Sequence, residues 1–329
     1  MNKCLVILFA ASAIFASCSN EKKGKGGLLY TVHKDAGKTK IKQGDFVKVD
    51  FIQTNDNDSI IDATYDHDFP RFFPVAKTNY GGDMSDVITL FGEGDSVTFK
   101  LNVDTMVKHS NQPRPEHLKN QKYLTFTMKI QKVLPRLPYE ADSVFQRRSE
   151  DFFNTNMRAS MDQKKAMEGA RIKKFAEDNN LKLTTSPSGL QYVIVKPGTG
   201  EKPRLGDTAI VDYTGQLTYK KVSGKPNIFD TTIEKVAKEN LAPNPTKRYE
   251  PIPIALAEGI AKGLVEALQL IGKGGKITAI LPSDLGYGER GGGPIPPYNP
   301  LVFDLEIKDI KKGSAMPTVG AFPAPVVKN

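Results

Sequence analysis

The chain has no tryptophan, two cysteines and four histidines. The cysteines are Cys4 and Cys18. Cys4 lies in an apolar N-terminal run, so loss of that run leaves a single thiol and no intramolecular disulfide. His33, His67, His109 and His117 show no metal-ligand spacing with cysteine and are expected at the surface. No Gly-Lys-Ser/Thr is present to make a P-loop. Gly286, Gly288 and Gly291 match G-x-G-x-x-G in letters only, because Pro294, Pro296 and Pro297 follow at once and forbid the helix that a dinucleotide fingerprint opens. Neither a metal nor a cofactor is expected. The +9 net charge is scattered rather than striped, which argues against a nucleic-acid partner. A hydrophobic content of 39% and the absence of a second long apolar run suit a soluble globular protein with no further membrane span.

The N-terminus is an address. Lys3 gives a short positive start, Cys4–Ala16 is apolar or small and too short to span a bilayer, and Phe15-Ala16-Ser17-Cys18 follows. Residues 1–17 are expected to be an export signal. A cysteine directly after small residues resembles the bacterial lipoprotein signal, although Phe15 stands where that pattern usually has leucine. The resemblance implies a lipidated Cys18, anchorage to a membrane of the bacterial cell envelope, and a body facing the periplasm. Cleavage nearby with Cys18 left free is the alternative. Residues 18–27, polar, basic and glycine-rich, are expected to be a flexible tether.

Self-comparison reveals a repeat. Gly189–Ile194 echoes Gly27–Val32, and Gly206–Tyr213 echoes Gly44–Phe51. Ile228–Thr232 echoes Ile60–Thr64, Leu270–Leu281 echoes Leu90–Leu101, and Leu301–Ile307 echoes Leu124–Ile130. The order is the same in both halves, so one fold is expected twice, at 28–135 and 184–312. Between them, 139–183 is rich in helix formers. A long linking helix is expected there, started by Asp142 or Ser143 and ended at Asn179-Asn180. Phe145, Phe153, Met157, Met161, Ile172 and Phe175 recur at roughly helical spacing. They either pack on a neighbouring domain or pair the helix with a second copy as a homodimer. Residues 313–329 are expected to be a disordered tail.

In the second copy, strands are expected at Leu190–Val195, Thr208–Gln216, Lys276–Leu281 and Leu301–Ile310, with a shorter one at Ile254–Leu256. Gly259–Ile271 reads as a short amphipathic helix stopped by Gly272–Gly275. One short helix among antiparallel strands is an α+β domain. Between the last two strands, Gly286–Pro300 holds five glycines, four prolines and two tyrosines. That composition excludes helix and interior strand and builds a loop that presents a surface. In the first copy the equivalent stretch, Asn102–Gln121, keeps neither the Tyr-Gly nor the Ile-Pro-Pro.

VDYTG (Val211–Gly215), FDTT (Phe229–Thr232), KGLVEAL (Lys262–Leu268), LPSDLGYG (Leu281–Gly288) and IPPYNPLVFDLEI (Ile295–Ile307) together resemble the FKBP-type peptidyl-prolyl cis-trans isomerases. The resemblance covers most of 184–312. It implies two FKBP-like domains, each a twisted antiparallel sheet wrapped on a short helix, joined by the long helix. It puts Tyr213, Phe229, Asp230, Tyr287 and Phe303 in a catalytic pocket, with Ile260, Ala261, Leu264 and Ile295 binding substrate. Leu264 stands where many members have a tryptophan floor, and Ile252 replaces a pocket phenylalanine. Lys220–Tyr249 is longer and richer in lysine and proline than the usual loop.

The implied chemistry is simple. The peptide bond resists rotation through its partial double bond. An apolar pocket that grips proline and excludes water favours the twisted, less polar amide. Tyr287 would donate to a substrate carbonyl, and Tyr213 and Asp230 would bond each other. Each residue has a plainer account: Phe303 and Leu264 as core, Tyr213 as a satisfied core tyrosine, Asp230 as a turn residue. The expected function is prolyl isomerisation on proline-containing polypeptide clients among exported proteins. The alternatives are a non-catalytic chaperone or peptide-binding module, or an envelope interaction protein. The first copy, with Phe51 for Tyr213, Ile61 for Phe229 and nothing for Tyr287, is expected to be silent.

Overall fold

Alternation puts one face of two separate strands into two separate cores: Val47, Val49 and Phe51 in one, Ala209, Val211 and Tyr213 in the other. The computed structural model describes residues 21–110, 112–257 and 261–313. The signal run, Cys18, Ile260 and all of the expected tail except Gly313 lie outside these residues.

The first domain contains β1 (Lys22–Lys23), β2 (Leu29–Lys34), β3 (Phe46–Thr54), β4 (Ile60–Ala63), β5 (Arg71–Pro74), α1 (Met84–Ile88), β6 (Ser96–Asn102), α2 (Val103–Ser110) and β7 (Tyr123–Leu134). A long helix, α3 (Asp142–Asp178), follows. The second domain contains β8 (Thr184–Thr185), β9 (Gln191–Lys196), β10 (Thr208–Lys220), β11 (Pro226–Thr231), α4 (Glu234–Asn240), β12 (Ile252–Ala255), α5 (Lys262–Gln269), β13 (Lys276–Leu281) and β14 (Leu301–Lys311).

The repeat is a repeat of topology. One sheet runs β1-β2-β6-β7-β3-β4 with β5 also on β3. The other runs β11-β10-β14-β13-β9-β8 with β12 also on β10, which is the same order. Every pairing is antiparallel. A register shift between Lys48 and Val49 recurs between Ile210 and Val211, so each central strand bends at the same place. The glycine turns recur too: Gly94 N–H donates to Ile130 O, and Gly274 N–H to Ile307 O.

Three expectations change. Residues 21–27 are not a free tether: Lys22–Lys23 pairs with β2, Lys100 bonds Glu21 at 3.0 Å, and the Thr105 hydroxyl donates to Gly26 O at 2.9 Å. Helix α3 starts without a side-chain cap. Ala141 holds the N-cap position, while Asp142, in the first turn, pairs with Arg136. Lys220–Tyr249 is not all loop, since it contains β11 and α4.

The end of α3 is as expected, with Asn179 at the cap and Asn180 at φ 53°. The apolar positions of α3 drift around the helix because it serves two sheets. Phe152 meets Phe46 and Phe72, and Phe153 meets Phe72 at 5.0 Å. Further along, Ile172 and Phe175 join Ile280 and Val302 of the second sheet. Among the described residues no helix is long and apolar enough to cross a membrane.

Candidate active site

Gly215 lies at the centre of β10, opposite Asp230 of β11 on one side and Phe303 of β14 on the other. Having no side chain, it lets two rings close over the strand. A Cβ built there would lie 2.5 Å from the Phe229 ring and 3.0 Å from that of Phe303. Phe229 and Phe303 meet edge to face at 5.7 Å, and Tyr213 tilts against Phe303 at 6.2 Å. Ala279 of β13, with only a methyl group, faces Phe303 across the next pair. Leu264 from α5, Ile295 and Phe303 are almost wholly buried, and Ala261 packs half-buried beside them.

One edge of this apolar cup is polar. The Tyr213 hydroxyl donates to Asp230, Lys247 donates to the other carboxylate oxygen, and the Thr231 amide adds a third bond at 2.9 Å. Burial first, and then the bond to Asp230, pushes the Tyr213 hydroxyl far above the ordinary tyrosine range. Tyr287 is raised as well, by burial and then by the charge of Asp230, yet it keeps 38% of its surface exposed. Thus Tyr213, Phe229, Asp230, Tyr287 and Phe303, drawn from separate stretches, come together with Ala261, Leu264 and Ile295. Lys247 was not foreseen. It lies in a lysine- and proline-rich segment with no periodicity to mark it.

The loop carrying Tyr287 is held at both ends from outside its own domain. At the start, the Ser283 amide donates to Glu168 of α3, and its hydroxyl bonds the same carboxylate at 3.1 Å. At the far end, Arg171 of α3 donates to Asn299 Oδ1 at 3.0 Å and to Asp68 of the first domain at 2.8 Å. Asn299, buried, also donates to Pro297 O at 3.2 Å. Inside the loop, Gly292 and Ile295 exchange backbone bonds of 2.9 and 3.0 Å. Gly292 lies so close beneath Tyr287 that a Cβ would stand 2.8 Å from the ring.

The first domain shows the same site filled. Gln53 occupies the register of Gly215, opposite Asp62 and Phe126. Phe99, fully buried, occupies that of Ala279, opposite Phe126. Phe99 stacks on Phe126 at 5.3 Å and Phe126 meets Phe51 at 5.9 Å, so rings stand where the second domain has its cup. In place of the glycine- and proline-rich loop are α2 and a short 3-10 turn at Glu116–Leu118.

An aromatic cup over a bent antiparallel sheet, closed by a short helix and edged by a restrained carboxylate and an exposed phenol, sets apolar rings beside hydrogen-bonding groups. Among the described residues no cluster of His, Cys, Asp and Glu could hold a metal ion. Residues 199–308 match the family described as FKBP-type peptidyl-prolyl cis-trans isomerase. The chain is 38% identical over 158 residues to the FKBP-type peptidyl-prolyl cis-trans isomerase FkpA of Escherichia coli (strain K12), which is 47% of this chain and 50% of that protein. It is 37% identical over 163 residues to the outer membrane protein MIP of Legionella longbeachae, 45% of this chain and 61% of that one. It thus spans about half the length of the first of these curated relatives. The crystal structure of FkpA from Escherichia coli aligns at 31% identity over 53% of this chain and 75% of that one, with a TM-score of 0.40.

Proposed function

We propose that this chain is a peptidyl-prolyl cis-trans isomerase of the bacterial cell envelope that assists the folding of exported proteins, with the second domain as its catalytic unit. The observation that carries this is the convergence of Phe229, Phe303, Leu264 and Ile295 in one apolar cluster beside the Tyr213–Asp230–Lys247 network and the Tyr287 hydroxyl. The planar X-Pro amide is held by resonance worth ~18–20 kcal/mol of barrier. The twisted amide has lost that resonance and is less polar. A site that desolvates the proline ring and supplies a donor to the adjacent carbonyl therefore binds the twisted state more tightly than either planar one.

In this account Phe229, Phe303, Leu264, Ile295 and Ala261 grip the ring, and Tyr287 donates to the substrate carbonyl. Asp230, fixed by Tyr213 and Lys247, faces the proline carbonyl region. No covalent bond to the enzyme is made. Envelope location is supported by the name of the outer membrane relative and by the N-terminal sequence, with membrane attachment through a lipidated Cys18 as its finer form.

The test is catalysis of a proline-limited refolding step and of a short proline peptide by the chain from Ser19, beside Tyr287→Ala and Asp230→Ala. Wild-type acceleration that both folded variants lose is the expected result. A second function is favoured by one residue, Leu264 at the floor. If wild type gives no acceleration but suppresses client aggregation, the domain is a peptide-binding module and the catalytic assignment fails.

A further inference from the structure

The two sheets end towards each other. The end strand of the first is β4 and the end strand of the second is β11. Among the described residues each is paired on one side only, by β3 and by β10. Both line a cleft of about 1000 Å³, with Ile60, Ile61 and Asp62 on one wall, Ile228 and Phe229 on the other, and Pro294 of the Tyr287 loop beside them. The floor is fixed by Asp66, whose carboxylate accepts from the Val222 amide at 2.6 Å and whose carbonyl accepts from Asn227 at 2.8 Å. Ile61 leaves 43% of its surface exposed.

We infer that this cleft is a second subsite for the client polypeptide, taking the extended segment that flanks the proline and pairing it with the β4 and β11 edges. The inference rests on the isomerase function proposed above. Three features choose this occupant. Phe229 belongs to both the cup and the cleft, so a chain with its proline in the cup leaves along the cleft. Two strand edges offer backbone donors and acceptors, which an extended chain of any sequence can use. The charges around the cleft are mixed, with Asp58, Asp62 and Asp66 against Lys221, Lys225 and His67, so no one sign of client is selected. Specificity would come from the ring in the cup and reach from the backbone in the cleft. The first domain thereby gains a role in substrate binding without a catalytic site of its own.

The test uses the chain from Ser19 with Ile61→Glu, an exposed position whose replacement leaves the core intact. Three readouts are taken: isomerisation of a blocked Ala-Leu-Pro-Phe anilide, proline-limited refolding of a reduced, carboxymethylated protein, and binding of a fluorescein-labelled unstructured peptide with one central Leu-Pro. The short anilide should be turned over as by wild type. With the long substrate kcat/KM should fall about tenfold, through KM, and the labelled peptide should bind about tenfold more weakly. N-methylation of the peptide amides flanking the proline should weaken binding to wild type to a similar degree.

Equal losses on short and long substrates, or no loss on the long one, overturn the subsite. So does a wild-type dimer that dissociates in Ile61→Glu, which would give the cleft to a second copy. A wild type inactive on the anilide defeats the isomerase assignment instead, and labelled-peptide binding still judges the cleft.

Discussion

Replacing Gly215 with alanine tests the geometry of the cup directly. Gly215 is not at positive φ, so alanine is free to adopt its backbone conformation. Gly→Ala in a strand then gains about 0.5–1 kcal/mol by reducing the freedom of the unfolded chain. Against that stands the new Cβ, 2.5 Å from two Phe229 ring atoms and 3.0 Å from one of Phe303. Carbon atoms in contact sit about 3.5–4.0 Å apart, so a ring must recede by roughly 1 Å. Phe303 is locked at 5% exposure between β10 and β13, whereas Phe229 is half-buried on an end strand facing the cleft. Phe229 is the ring that moves. Overpacking costs about 1–3 kcal/mol, and after the gain in chain entropy about 0–2 kcal/mol of stability is lost, a few degrees in Tm. The cup, however, loses the wall that defines its width, and a misplacement of about 1 Å at a reacting group can cost up to a hundredfold in rate. The expected signature is therefore a fall in kcat/KM of tenfold or more on a short proline peptide, larger than the stability change explains. Thermal unfolding and peptide isomerisation on the same preparation measure both. Full activity with an unchanged Tm would show that Phe229 does not bound the site.

The anchors of the Tyr287 loop give a second expectation. Arg171→Ala removes charge-assisted bonds to Asp68 from partners that are each about a quarter or less exposed, so unfolding should lose about 2 kcal/mol. With Asn299 released, kcat/KM should fall several-fold, and faster hydrogen exchange in 283–299 should accompany the fall; unaltered exchange and rate would separate the loop from the clamp. The pH profile gives a third. Tyr213 and Tyr287 are both raised above the ordinary tyrosine value by burial first and Asp230 next, so both hydroxyls stay protonated through about pH 10. Activity should be flat on approach to that pH, and a decline below it that vanishes in Tyr287→Phe would refute the upward shift of the Tyr287 hydroxyl. For stability the sign is the usual one for a raised group: Tyr213's contribution is complete below the unfolded value of about 10 and is lost as pH rises through the folded one. Tyr213→Phe should therefore flatten the alkaline limb of a urea-unfolding series.

What could be read in the sequence followed from period and from fixed backbone angles. Alternation at Val211–Tyr213 and Leu301–Ile307 marked strands that are buried on one face. The glycine and proline content of Gly286–Pro300 marked a loop, and the five ordered echoes marked the duplication that the sheet order bears out. What stayed hidden has no local signature. Strand β11 is short and begins at a proline, and α4 is a seven-residue helix inside a lysine-rich stretch. Lys247 acts on Asp230 from a segment that looks like linker, and Asp68 acts on Arg171 across 103 residues. The filled cup of the first domain was legible only in part. Phe51 and Ile61 were visible substitutions, but Phe99 in the register of Ala279 becomes meaningful once the strands are aligned.

The duplication divides two demands that conflict in one domain. A cup for a proline ring needs Gly215 and Ala279 at the centre of a sheet, where side chains that would have packed are missing, and a long glycine-rich loop whose ordering costs entropy. The first domain meets neither demand: Gln53 and Phe99 fill the centre, and α2 replaces the loop. It is free instead to place Asp68, at φ 48°, a left-handed backbone that a non-glycine residue adopts at a cost. That residue is over-determined by Arg171, Lys164 and Asn299, each of which gains a partner from it. Two of the three, Arg171 and Asn299, bear on the Tyr287 loop. Order in the loop is therefore set partly by a domain whose own central site is filled. On this physics the filled copy is a reference frame for the open one, and its strand edge then lies where a client emerging past Phe229 would meet it.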